Sequence, residues 1–349
     1  TVSKKVLEKY IGKKLSLEEL KDRISLLGTD LESIEEDNIN VEIFPNRPDM
    51  LSAEGLGRAL SSFVDVNTGL KKYKIKEFNE KVIIEESLKN IRPFTACAIV
   101  KNLKFDDERI KQIIQLQEKL HITYGRKRKR LAIGIYPMEK IKFPIYFRAL
   151  KPEEIKFIPL EESREMNGRE ILKELNTGKE YAHLLEDKEK YPVFIDANNE
   201  ILSMPPIINS HKTGKVTENT KEVFIEVSGF ELETLKKALN IIITNLADIN
   251  GEIYSIELNY GNKKIITPDL KPEIMELNED YANKILGLNL NKQEIKKYLE
   301  RMGFDYNNGK VSIPSYRTDI MHQIDLIEDI AIAYGYENFK EEIPNVSTI

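Results

Sequence analysis

Apolar positions recur at helical spacing twice near the start of the chain, first over Lys4–Ile11. The second run opens with Ser16 and Glu19 as a capping box, puts Leu20, Ile24 and Leu27 on one face and stops at Gly28. Val41 to Phe44 alternates as a short strand, and Pro45-Asn46-Arg47-Pro48-Asp49 turns it into a helix over Ala53 to Phe63. Lys71 to Lys81 is charged and poor in apolar residues, and reads as a linker. From Val82 to about Asn262, strand-like runs dominate: Ala96 to Val100, Leu131 to Tyr136, Val193 to Ile195 and Val223 to Val227, with helices at Asp107 to Tyr124 and Leu232 to Leu246. After Pro268 come helices at Glu279 to Leu286 and Lys292 to Met302, a hairpin through Asn307-Asn308-Gly309, and a helix from about Gln323 to Tyr334. The pattern predicts an α+β, multidomain chain. A small N-terminal α+β unit and linker occupy 1–81, a central mixed α/β domain 82–262, and a winged-helix-like domain with an acidic last helix 263–349.

Length supports several cores, because 349 residues exceed the roughly 250 to 300 at which a single core stops growing. With 53 Lys and Arg against 58 Asp and Glu, the net charge of -5 argues against a surface devoted wholly to nucleic acid, so any RNA contact must be a local patch. The one cysteine, Cys97, lies in an apolar run; it permits no intrachain disulfide and fits a reducing cytoplasm. No stretch reaches the ~18 apolar residues of a membrane span, and Thr1 opens no signal-peptide pattern, so a soluble protein without a membrane partner is expected.

Phosphate-binding Gly-rich loops, nucleophile elbows and zinc spacings are absent, and His121, His183, His211 and His322 are scattered. Four features remain. The run Arg126-Lys127-Arg128-Lys129-Arg130, with Tyr124 beside it, is either a phosphate or RNA-end contact or a solvated loop. The stretch Leu202 to Ser210 stiffens its backbone with Pro205 and Pro206 while Ser203, Asn209 and Ser210 offer short polar groups, which suits a pocket or an ordinary connection between strands. Glu226 and Ser228 stand two apart on an otherwise apolar strand and so share one face. Asp325, Glu328 and Asp329, with Asp319 just before them, gather carboxylates on one helix face; either a hard cation such as Mg2+ compensates them or the face is simply solvated.

Taken in order, several strings resemble the β subunit of archaeal and eukaryotic phenylalanyl-tRNA synthetases. They include Asn46-Arg47-Pro48-Asp49, Asn90-Ile91-Arg92-Pro93, Ile114 to His121, Gly125 to Arg128, Ser203 to Ser210, Thr267-Pro268-Asp269-Leu270, Asp319 to His322 and Glu328 to Tyr336. The resemblance implies a subunit of an α2β2 ligase that charges tRNA(Phe) with Phe at the expense of ATP. Its α subunit holds that catalytic site, while the β subunit carries tRNA-binding and editing domains. It also implies Mg2+ shared with the α subunit at Asp319, Asp325, Glu328 and Asp329. The family's β chain continues into a catalytic-like domain that this sequence lacks, so the piece alone is not expected to charge tRNA.

For the editing that the resemblance implies, chemistry supplies a reason: a hydrophobic site for Phe rejects the added hydroxyl of Tyr only roughly 100-fold and needs a second, hydrolytic site. Glu226 would accept the Tyr phenol, with Ser203 and Ser228 in support, and Asn209 and Ser210 with Pro205 and Pro206 would place the ester and a water. Phe194 would line the pocket, and Arg126, Lys127 and Arg128 would meet the tRNA end. Two departures from the family's pattern touch this pocket: Glu226-Val227-Ser228-Gly229 replaces Asp-Val-Thr-Gly, and Phe194 replaces a common Leu. A non-catalytic tRNA-binding scaffold is the alternative, and a stand-alone editing factor fits less well.

Overall fold

A computed structural model describes residues 1–340; residues 341–349, the tail of the expected third segment, lie outside the described residues. The described residues pack as two units, one formed by residues 1–71 together with 272–340 and the other by residues 72–271. This differs from three consecutive segments. The first and last stretches share one hydrophobic core, in which Leu7, Ile11, Leu20 and Ile24 join Leu299, Phe304, Leu326 and Ile330. Each stretch contributes amphipathic helices and a small sheet whose apolar faces meet in this common core.

In the discontinuous unit, helices Lys4–Ile11, Leu17–Leu26 and Ala53–Phe63 form where the apolar spacing places them, and Ser16 and Glu19 make the reciprocal capping bonds. The later stretch has the expected helix, helix, hairpin, helix order, with Asp305–Asn307 and Lys310–Ile313 as the hairpin. Glu273–Glu276 pairs with the second hairpin strand and completes a three-stranded sheet.

The second unit is a ten-stranded sheet whose order along the ladder is Ile208–Asn209, Ile201–Met204, Tyr191–Ile195, Ile145–Leu150, Ile75–Ile84, Glu252–Asn259, Phe94–Lys101, Val223–Gly229 and Leu131–Pro137. Lys264–Thr267 pairs off this path with Glu252–Asn259. Most pairings are antiparallel, but Ile75–Ile84 runs parallel to both of its neighbours. Most of that strand falls in Lys71–Lys81, read from the sequence as a linker. Its charged side chains face water while the backbone of Ile75, Lys76, Glu77 and Lys81 pairs in the ladder, and side-chain polarity does not report backbone pairing. The sheet curls into a nearly closed barrel, because Tyr136 on one terminal strand reaches Ser203, one strand from the other end, at 2.7 Å. Helix Leu232–Asp248 covers the outer face of Phe94–Lys101 and Val223–Gly229, so both strands are buried on two faces and read as unbroken apolar runs.

Candidate functional site

Where the ends of the curled sheet meet, the Val223–Gly229 strand lies between Phe94–Lys101 and Leu131–Pro137, antiparallel to both. The period of two puts Phe224, Glu226 and Ser228 on one face. Glu226 is directly opposite Gly134 on one side and Cys97 on the other. Its carboxylate is 1 % exposed: Oε1 accepts from the Tyr136 hydroxyl at 3.2 Å, and Oε2 is buried without a hydrogen-bond partner. Burial drives the Glu226 pKa up to about 8, against the charge of Arg92 and the hydroxyls of Tyr136 and Ser228. Arg92 is itself buried; its Nε donates to Ser228 Oγ at 3.0 Å and its Nη2 to the Ser228 carbonyl. Desolvation lowers Arg92 to about 10, which keeps it charged at neutral pH.

A second wall comes from helix Asp107–Ile122 and the basic turn after it. Arg126, Lys127 and Arg128 all have positive φ, at 49°, 52° and 61°, and make a short left-handed turn. Such backbone costs roughly 1 to 3 kcal/mol per residue and persists only where surrounding bonds hold it. Here the amides of Arg126, Lys127 and Arg128 donate back to the carbonyls of Thr123, Ile122 and His121. The turn separates the run by direction. Arg126 and Lys127 are exposed, whereas Arg128 turns inward, gives Nη1 to the carbonyls of Pro206 and Ile207 at 3.1 and 2.9 Å, and grips both oxygens of Glu118 with Nη2. Arg130 goes to Glu231 and Thr234.

His121, three residues after Glu118, completes this wall. Its Nε2 accepts the Ile133 amide at 2.8 Å, so its proton is on Nδ1, which faces Glu118 at 3.1 Å. The only lone pair of the neutral ring is occupied, and burial lowers its pKa, so it is not a ready base. Burial would raise Glu118, but His121 and Arg128 outweigh it and hold the carboxylate at about 2.

These groups line a cavity of about 220 Å3, with Gln117, Ser203, Pro205, Pro206, Ile207 and Asn209 among the other walls. That is below the roughly 300 to 1,000 Å3 of drug-sized ligand sites and suits one amino-acid side chain. A larger, mostly apolar groove of about 510 Å3 lies in the discontinuous unit by Ile285, Ile324 and Tyr336, but it has no convergent polar groups.

Of the residues singled out from sequence, Ser203, Pro205, Pro206, Asn209, Glu226 and Arg128 line the cavity. Ser228 lies behind Glu226 on Arg92, and Ser210 is buried next to the cavity wall in a bridge to Pro159. Phe194 does not line it; that ring is stacked on Phe147 at 4.1 Å inside the barrel core. Sequence reading gave no role to Glu118, His121, Tyr136, Gly134 or Arg92. Glu118 and His121 carried a usable signal, their i, i+3 spacing on one helix face.

The four carboxylates read as a Mg2+ set do not converge. The Arg317 guanidinium binds both oxygens of Asp319, at 2.8 and 2.7 Å, and one of Asp329, at 2.7 Å. Asp325 caps its own helix by accepting the Met321 and His322 amides, and Glu328 is exposed while Asp329 is buried. Among the described residues no cluster of three or more His, Cys, Asp or Glu could hold a metal, so this chain by itself does not fit the ion. The reason is local: an arginine two residues before Asp319 already supplies the compensating charge.

Two family matches cover the parts just described, a B3/4 domain at residues 88–245 and a tRNA synthetase B5 domain at residues 275–336. The phenylalanine--tRNA ligase beta subunit of Pyrococcus horikoshii is 44 % identical over 355 residues, covering 99 % of this chain and 64 % of the relative. That of Archaeoglobus fulgidus is 42 % identical over 346 residues, covering 98 % and 62 %. The chain thus spans less than two thirds of the length of these curated relatives. The crystal structure of an N-terminal fragment of the Pyrococcus horikoshii phenylalanyl-tRNA synthetase beta subunit superimposes with a TM-score of 0.91 at 44 % identity, over 95 % of this chain and 98 % of that one.

Proposed function

This chain belongs to the family of phenylalanine--tRNA ligase beta subunits, and from that premise we propose that its barrel cavity is an editing site that hydrolyses tyrosine wrongly esterified to tRNA(Phe). The observation that carries this reading is Glu226, whose buried carboxyl group lines a cavity of side-chain size and whose Oε2 has no hydrogen-bond partner. A tyrosine phenol satisfies it. A phenylalanine leaves it unpaired, and an unpaired buried polar group costs about 1 to 3 kcal/mol, or roughly 5- to 150-fold in preference. Hydrolysis of an already reactive ester then needs placement and stabilisation of charge more than a side-chain nucleophile. Asn209, Ser203 and the Pro205-Pro206 wall surround the ester, Arg128 and Glu118 close the mouth, and Arg126 with Lys127 meets the phosphates of the incoming strand.

In the whole ligase this chain would pair with an α subunit in an α2β2 assembly in the cytoplasm, where the α subunit uses ATP to charge tRNA(Phe) with Phe. The last three helices and the hairpin are read as a winged-helix-like domain. If Mg2+ takes part there, the ligands must come largely from the partner, because Arg317 occupies Asp319 and Asp329.

The test is deacylation of tyrosyl- and phenylalanyl-tRNA(Phe) by this chain, and by Glu226→Ala. Hydrolysis that favours the tyrosyl ester and loses that preference in Glu226→Ala supports the site. Equal hydrolysis of both esters by the parent, or none, turns the chain into a scaffold.

A further inference from the structure

Three oxygens stand in a row across the seam of the barrel: Ser203 Oγ, Tyr136 Oη and Glu226 Oε1, with 2.7 Å and 3.2 Å between neighbours. A phenol has one proton, so Tyr136 donates to one of its two neighbours and takes the other bond as acceptor. In either arrangement Oε1 is engaged. Oε2, the other oxygen of this cavity-lining residue, is the one left over.

The tyrosine itself has little freedom. Its ring is fully buried and stacks on Phe224 with centroids 6.0 Å apart. Its hydroxyl fills the space that Gly134 leaves: a Cβ there would lie 2.1 Å from Tyr136 Oη and 2.6 Å from Glu226 Oε1. The contrast with glutamate is direct. A Glu side chain has three torsions, and holding it still before a ligand arrives removes an ordering cost from each binding event.

We infer that Tyr136 is a specificity-positioning residue, an internal phenol that occupies one oxygen of Glu226 and turns the other to the phenol of the ligand. This rests on the editing reading above and adds what makes it selective. Tyrosine is recognised by a carboxyl group already half-satisfied by a tyrosine of the protein, so one donor from the ligand completes it. A ligand without the hydroxyl cannot be accommodated by swinging Glu226 aside, because Tyr136 and Gly134 hold it in place.

Tyr136→Phe keeps the ring and removes the link. With tyrosyl- and phenylalanyl-tRNA(Phe) as substrates of the 349-residue chain, the ratio of the two kcat/KM values is expected to fall about three- to tenfold, the worth of one ordinary hydrogen bond. The fall should come from a raised KM for the tyrosyl ester together with faster hydrolysis of the phenylalanyl ester, because Glu226 is then free to swing aside. An unchanged ratio overturns the inference, and so does a parallel loss on both esters, which is what a purely structural seam would give. Glu226→Gln is run beside it. If that variant also keeps the parent's ratio, the editing reading falls; if it loses the ratio while Tyr136→Phe retains it, only the role of Tyr136 falls. Should Tyr136→Phe fail to melt cooperatively, Gly134→Ala makes the same test by displacing both groups without removing either. Retained selectivity in that variant overturns the inference too.

Discussion

Glu226 faces Gly134 directly across the ladder of two antiparallel strands, and the absent side chain at Gly134 is the space that the carboxylate and the Tyr136 hydroxyl occupy. In a closely packed interior, a side chain added at Gly134 would meet both groups.

Gly134→Ala should therefore destabilise the chain by about 1 to 3 kcal/mol through overpacking. The shortest approach is to the phenol oxygen, so Gly134→Ala combined with Tyr136→Phe should cost less than the two single changes added together. Denaturant midpoints of the four proteins in the cycle decide this. Additive losses would mean that the new methyl is accommodated elsewhere.

Burial raises the Glu226 pKa from 4.5 to about 8, so the folded chain holds this proton more tightly than the unfolded one. The contribution to stability is fully present below pH 4.5 and is lost as pH rises through about 8. Melting temperature should accordingly decline across that window more steeply for the parent than for Glu226→Gln, which cannot ionise. Superimposable pH profiles would place the ionisation elsewhere.

Only the outward members of the basic turn are available for phosphate. Arg126→Ala with Lys127→Ala should weaken tRNA binding without regard to sequence and flatten the plot of log affinity against log salt by about 1.5 to 2. Arg128→Ala should act differently, lowering deacylation and stability because the Glu118 carboxylate and the Pro206 and Ile207 carbonyls lose their donor. Filter binding over a salt series, beside melting curves, separates the two effects. An unchanged slope in the double variant makes the turn a solvated loop.

Arg317 carries the charge balance of the last helix. Burial raises Asp329, while the Arg317 guanidinium pulls against it and outweighs burial at Asp319, which stays below its ordinary value. Arg317→Met leaves two carboxylates without the guanidinium bonded to them, with only the more distant charge of Arg47 in its place, and should cost about 3 to 5 kcal/mol. Millimolar Mg2+ should leave the parent's melting temperature where EDTA leaves it. A rise with Mg2+ that disappears in Asp329→Asn would establish a cation site in this chain.

Local pattern determined much of this protein. The helices Lys4–Ile11, Ala53–Phe63 and Gln323–Tyr334 begin and end where apolar spacing and capping residues place them, because those signals act within a turn or two of chain. The shared face of Glu226 and Ser228 follows from the strand period, and the ordered strings near Arg92, His121 and Ser203 pointed to the family to which the chain belongs. Tertiary structure decided the rest. Joining residues 1–71 to 272–340 depends on apolar faces more than 200 residues apart completing one core. No local pattern encodes that partnership. The strand inside Lys71–Lys81 shows itself only through backbone pairing, and Phe194 left the expected pocket because Phe147 across the ladder offered its ring a flat partner. The meeting of Arg317 with Asp319 and Asp329 has the same origin: which charge meets a carboxylate depends on how the backbone folds back, and sequence spacing gives only the candidates.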